Sequence, residues 1–149
     1  MSTPRTIIAV STGVRREAEA AGVITPGDLV SLDTTGKAVR HATASAKATP
    51  QFAIENEIFG NGVYNDGVLQ SYAVGDRVLT EVMHPGNEVY GTLAASAAAI
   101  VINDPLESAG DGTLRKASAE TAAGVIARAA EAVDNSGGGS KVHIRVAIT

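Results

Sequence analysis

The chain of 149 residues contains no cysteine. That absence removes disulfides, thiolate metal sites and cysteine nucleophiles together, and leaves the fold without a covalent staple. Tryptophan is missing too, and two Phe and three Tyr make up the whole aromatic content. A core must therefore be assembled from small and medium aliphatic side chains that each bury little area. Basic charge is also scarce: 12 Lys and Arg stand against 16 Asp and Glu, for a net charge of −4. With neither a basic footprint nor aromatic stacking platforms, direct binding of nucleic acid is not expected. No apolar run approaches the roughly 18 residues that cross a bilayer. The start, Met1-Ser2-Thr3-Pro4-Arg5, lacks the pattern of a secretory signal. These features predict a soluble protein made in the cytoplasm, with no membrane partner.

What the chain does have is aliphatic. Hydrophobic residues make up 44%, among them 26 Ala, 16 Val and 10 Ile against only 7 Leu. The β-branched bias suits pleated strands and argues against a helical bundle. Turn signals recur at short intervals: Thr25-Pro26-Gly27-Asp28, Thr34-Thr35-Gly36-Lys37, Asn61-Gly62, Asn65-Asp66-Gly67, Gly75-Asp76, His84-Pro85-Gly86-Asn87, Gly110-Asp111-Gly112 and Ser136-Gly137-Gly138-Gly139. Between them lie runs of alternating Val, Ile or Leu, the signature of strands in a sandwich or barrel. The clearest cover residues 29–32, 77–82 and 142–148. In the last, Val142, Ile144, Val146 and Ile148 face one side while His143, Arg145 and Ala147 face the other.

Laid over itself at an offset of 76 residues, the chain shows an internal echo: residues 26–30 over 102–106, Gly36 over Gly112, Arg40 over Lys116, and Phe52-Ala53-Ile54-Glu55 over Arg128-Ala129-Ala130-Glu131. Gly75-Asp76-Arg77-Val78 repeats the opening step. Similar hairpins share turn chemistry, so chance likeness stands as the alternative. Residues 12–21 read equally as a helix with Glu and Arg pairing or as an alternating strand. The alanine-rich residues 93–99 are the best candidate for a single short helix. Residues 121–133 have helix propensity, but the repeat register predicts a strand there.

No constellation predicts catalysis. His41, His84 and His143 lack ligand-spaced partners; Pro85-Gly86-Asn87 separates His84 from Glu88, which marks His84 as a turn residue. His143 is expected on the solvated side of the last strand. Asp28, Asp76 and Asp104 follow Gly or Asn at strand entrances, where Asp accepts backbone hydrogen bonds in turns. Asp104, Glu107 and Asp111 lack the spacing of a calcium loop and read as surface acidity. Ser136-Gly137-Gly138-Gly139-Ser140 lacks the lysine and helix of a phosphate loop and reads as a flexible link. The chain is expected to be no enzyme, with no metal and no cofactor.

The N-terminal segment reads as its own unit over residues 1–12, followed by a single β-rich domain over 13–149. Ser2-Thr3-Pro4 is poor core material. Thr6, Ile7, Ile8, Ala9 and Val10 form an extended, apolar-ended arm able to add a strand to another chain's sheet. An ordinary first strand of the domain's own sheet is the alternative.

Several turn-strand phrases resemble the head decoration, or cement, proteins of tailed bacteriophages. They are Ala21-Gly22-Val23-Ile24-Thr25-Pro26-Gly27-Asp28-Leu29-Val30, Phe52-Ala53-Ile54-Glu55-Asn56-Glu57, Tyr72-Ala73-Val74-Gly75-Asp76-Arg77-Val78 and, most specifically, residues 104–116 with Leu106-Glu107-Ser108-Ala109-Gly110-Asp111-Gly112. The closing Ala129-Ala130-Glu131-Ala132-Val133-Asp134 and Ile144-Arg145-Val146 fit the same pattern, so the resemblance spans about residues 20–149. It implies a mainly β fold, a compact barrel or sandwich (β-tulip-like) with an extended arm and at most one short helix. It also implies a clamp on the outer surface of the expanded head that bridges major capsid protein subunits against the pressure of packaged DNA. Homotrimers are implied first and dimers second, with residues 6–10 in the place of the capsid-pairing arm. A host-attachment or carbohydrate-binding β module is the alternative function.

Overall fold

The aliphatic runs fold into strands, and the glycine- and Asp-bearing phrases between them fold into turns. The computed structural model describes residue 4, residues 6–56 and residues 67–149. Asn61-Gly62, Asn65-Asp66, Glu57 and Ser2-Thr3 lie outside these residues. The strands are β1 (Ile8–Val10), β2 (Val14–Glu19), β3 (Val30–Leu32), β4 (Ala38–Arg40), β5 (Gln51–Ala53), β6 (Arg77–Val82), β7 (Glu88–Leu93), β8 (Pro105–Ser108), β9 (Leu114–Lys116), β10 (Val125–Ala129) and β11 (Val142–Ile148). The helical content described is one 3-10 turn, Gly67–Leu69. The protein is mainly β, as expected, and contains a closed five-stranded barrel.

That barrel runs β7, β11, β10, β8, β9 and closes where Leu114 of β9 meets Leu93 of β7 in parallel. The alternation predicted for β11 is realised: Ile144, Val146 and Ile148 are buried. The first half of the chain traces the same circuit. β2, β6 and β5 form one sheet and β3 pairs with β4; single bridges at Leu29–Phe52 and, in parallel, Ala20–Ala38 join them. The order β2, β6, β5, β3, β4 thus reproduces β7, β11, β10, β8, β9 strand for strand.

The register agrees at the predicted offset. Val30, Ser31 and Leu32 pair with Arg40, Val39 and Ala38; Leu106, Glu107 and Ser108 pair with Lys116, Arg115 and Leu114. Ala53 pairs with Thr80 as Ala129 pairs with Val146, although these two partners are offset by 66 residues and not 76. The loop bonds also repeat. Gly27 N–H donates to Ala53 O (2.7 Å) and Asn103 N–H to Ala129 O (2.8 Å), while His41 N–H donates to Leu29 O (2.9 Å) and Ala117 N–H to Pro105 O (2.8 Å). The echo is therefore a duplication of structure, because chance similarity of hairpins would not fix bonds between sequence-distant strands.

One turn recurs four times. Asp28, Asp76, Asn87 and Asp104 each accept, through a side-chain oxygen, the N–H of the residue three before, at 2.7–3.0 Å. The residue before each acceptor (Gly27, Gly75, Gly86, Asn103) has φ between 73° and 95°, which explains the Gly/Asn-Asp/Asn phrasing. Turn-making by Asp28, Asp76 and Asp104 is as expected, and His84 opens one of these turns.

Two cores result. Alternation in β3 and β5 sends Val30 and Ala53 into a small cluster with Ala18, Ala20, Ala38, Ile24, Tyr72 and Val78, and sends Leu29 and Phe52 into the main cluster with Leu93, Leu106, Leu114 and Ile144. β5 is thus buried on both faces, and the first half adds Leu29 and Phe52 to the core of the second.

Two expectations for loop segments are corrected. Residues 93–99 are not a helix: Leu93 ends β7, Ala94 N–H donates to Leu114 O (3.0 Å) and Ser96 N–H to Gly138 O (2.8 Å), with Ser96 at φ 54°. Alanine's propensity is worth only tenths of a kcal/mol per residue, and these tertiary bonds outweigh it. Residues 136–140 are tied in place, since Asn135 Nδ2 donates to Ala94 O (2.9 Å) and Ser140 O (3.0 Å). Residues 6–10 follow the alternative kept open for them, a first strand of the domain's own sheet: Ile7 is fully buried in the main core and β1 pairs antiparallel with β7. Of the open readings, residues 12–21 contain strand β2, and residues 121–133 contain β10 as predicted, with Val133 bridged to Ile100.

Candidate functional site

The N-terminal strand was the predicted contact, and its surroundings are specific. Ile7 N–H donates to Glu55 Oε2 (3.0 Å) and Thr6 Oγ1 donates to Glu55 Oε1, while Ile7 O accepts from Tyr90 N–H (2.7 Å). Ile7 is buried, Ile8 half-buried against the main core, and Thr6, Ala9 and Val10 exposed. β1 is the outer strand of its sheet. Residues 6–10 therefore present one sheet edge and two small side chains, Ala9 and Val10, rather than a free arm.

Two polar clusters join the halves. Asp28 is fully buried. It accepts from Thr25 N–H (2.9 Å), from Thr92 Oγ1 (2.8 Å) and from Lys141 Nζ (2.9 and 3.0 Å). Beside it, His143 Nε2 donates to Pro26 O (2.9 Å), so His143 is an inter-half contact and not the solvated side chain expected. Gly27 sits at φ 95°, and a Cβ there would lie 2.8 Å from Tyr90 O; glycine is required on both counts. The second cluster lies where β8 and β9 meet the loop after β4. Glu107, expected at the surface, is buried and takes Arg115 Nε (3.0 Å) and Ser45 Oγ (2.8 Å).

Next to it, Ser108 Oγ lies 2.7 Å from His41 Nδ1 and accepts from Gly110 N–H (3.2 Å). The donor in the His41–Ser108 bond is set by the imidazole tautomer. Burial holds the His41 imidazole below its ordinary 6.5. A serine beside a histidine is the start of a nucleophile arrangement, but Ser108 is fully buried, so the pair fastens a loop. Asp104 and Asp111 are committed to Val101 N–H and to Thr113. Among the described residues no group of three His, Asp or Glu is placed to hold a metal.

Surface features remain. Val23, Leu69 and Val74 are 55–67% exposed. They lie on the paired segments around the Ile24–Tyr72 bridge, beside a small recess lined by Asn56, Gln70, Ser71, Tyr72 and Asp76. Val101 and Ile102 are exposed in the turn before β8. β2 shows one buried residue in six and ends its sheet. The sequence marks Asp28 only as a turn former and does not point to Lys141, because a contact spanning 113 residues leaves no local signal.

No protein-family model and no curated protein sequence matches this chain. Among solved structures it is similar to the N base of the head fibre protein gp8.5 of bacteriophage phi29. The two are 14% identical with a TM-score of 0.57, over 93% of this chain and 95% of that chain. At that identity the likeness establishes a shared fold.

Proposed function

We propose that this protein is a non-enzymatic structural component of a bacteriophage virion that binds the outer surface of the expanded head, bridges major capsid protein subunits and stabilises the shell. The observation that carries this reading is the fold shared, along nearly the full length of both chains, with a phage head fibre base. The turn-strand phrases of residues 104–116 point the same way. Each polar cluster is spent on holding loops and halves together, which suits a passive clamp. In this reading the outer edge of β1 with Ala9 and Val10 faces the capsid, whereas Ile7 belongs to the core. Many copies, trimers at threefold positions in the first instance, grip the shell by avidity and gain stability because the partner binds only the folded form.

The test is addition of purified protein to expanded heads of the cognate phage made without it. The heads should gain mass, and their disruption temperature should rise. Heads unchanged in both respects would refute the proposal. Light scattering of the free protein distinguishes a trimer from a dimer.

A further inference from the structure

Strand β1 belongs to the second barrel's sheet, while the residues that follow it belong to the first half. Among the described strands β1 pairs with β7 alone, and its anchor, Ile7, is fully buried in the main core. Glu55 receives the Ile7 N–H and the Thr6 hydroxyl. Residues 11–13 then lead across to β2, which pairs with β6 of the first half.

That connector is where the closed chain is least satisfied. Ser11 Oγ donates to Glu81 Oε1 (2.8 Å). Glu81 is only 5% exposed, and its other carboxylate oxygen is buried with no hydrogen-bond partner, the one such atom among the described residues. A buried acceptor left bare carries its full desolvation cost. Gly13 passes so close to β6 that a Cβ would stand 2.4 Å from Val82 O. Val10 and Val14, which flank the connector, are each 52% exposed.

We infer that β1 is exchanged between copies of this chain. The strand of one copy leaves its own β7, the connector straightens, and residues 6–10 take their place beside β7 of a neighbouring copy. The seat is matched to this sequence: Glu55 takes Thr6 and Ile7, Tyr90 N–H donates to Ile7 O (2.7 Å), and the core has a place for the Ile7 side chain. An identical strand from a second copy remakes each of these contacts, so home and exchanged forms differ at the connector and in the entropy of association. Short connectors under strain favour exchange. Straightening opens the bare Glu81 oxygen to water and brings Val10 and Val14 against the neighbouring copy, which removes apolar surface from water. Strand exchange adds to capsid attachment and does not rest on it.

The test uses the absence of cysteine from the chain. Val10 and Glu88 are partners in the β1–β7 pairing, and Glu88 gives up a part-exposed ion pair with Arg145, a small loss. The full chain carrying Val10→Cys and Glu88→Cys is refolded from urea at about 1 mM, near the effective concentration that a short tether gives its own strand. It is then oxidised and run on a denaturing gel without reductant. Exchange joins different chains, so the single-chain band should be lost to linked dimers or trimers and return on reduction. Wild-type protein refolded as an equal mixture of isotope-labelled and unlabelled chains gives the same readout without a substitution. Isotope-filtered NMR should show contacts between Ile8 of one chain and its pairing partner Val89 of another. Disulfides confined to single chains, or Ile8–Val89 contacts found only within one chain, would overturn the inference. No phage head enters either measurement, so strand exchange and capsid attachment fail separately.

Discussion

Substituting the same aspartate in equivalent turns should give unequal losses of stability. Asp28, Asp104 and Asp76 occupy the same turn position and each accepts one backbone N–H through its carboxylate. Asn preserves that acceptor, so the three Asp→Asn variants differ in what else the carboxylate holds. At Asp28 the carboxylate is fully buried and also takes Lys141 and Thr92. Losing the charge there removes charge-assisted bonds worth about 1.5–3 kcal/mol each, partly regained as Lys141 turns toward water, for a net cost of about 2–3 kcal/mol.

At Asp104 the further partner is Lys116, whose side chain is 43% exposed, so the loss should stay below about 1 kcal/mol. At Asp76 no further side-chain partner is described, and the cost should be within about 0.5 kcal/mol. Lys141→Met should be the worst of the set, at about 3–5 kcal/mol, because it leaves a buried carboxylate without its cation. Urea unfolding with unchanged m-values reads these differences directly. Equal midpoints for Asp28→Asn and Asp104→Asn, or a neutral Lys141→Met, would refute the claim that this pair clasps the two halves.

Ile7→Ala should cost about 2–5 kcal/mol because its side chain fills the main core; a loss under about 1 kcal/mol would return residues 6–10 to the status of a free arm. The Tyr72 hydroxyl, pushed up to about 12 by burial, should ionise well above the ordinary 10 in an ultraviolet titration, and Tyr72→Phe should cost about 1 kcal/mol through the lost bond to Ile54 O. Because burial lowers the folded pKa of His41 below 6.5, the folded state binds fewer protons than the unfolded one. Its contribution should be complete above pH 6.5 and fall as pH drops through the folded value. Asp33, Asp104 and Asp134 are held below 3.8 chiefly by Thr35, Val101 and Ser136 respectively, so theirs should be present above that pH and vanish beneath it. Denaturant midpoints from pH 8 to pH 3 check both steps, and a flat profile would contradict them.

The strands and turns of this fold were legible because each is a local matter. Alternation placed β6 and β11, and the Gly/Asn-Asp phrases marked the strand entrances. The 76-residue offset correctly set β10 as a strand, since strand pairs across the two halves share one register. What escaped the sequence was non-local. Nothing near Ile7 says that β7 and Glu55 await it, and nothing near Asp28 points to Lys141. Residues 93–99 show the opposite failure: a local signal, alanine, was outweighed by bonds from Leu114, Asn135 and Gly138. Glu107 looked like surface acidity, and only the approach of Ser45 and Arg115 makes its burial tolerable.

The proposed role of this duplicated β domain is to clamp a phage head. Calorimetry of expanded, undecorated heads with and without saturating protein tests it most directly. Disruption of the shell should move to higher temperature, with the protein bound at a fixed number of copies per head. An unshifted transition with no bound protein would contradict the claim.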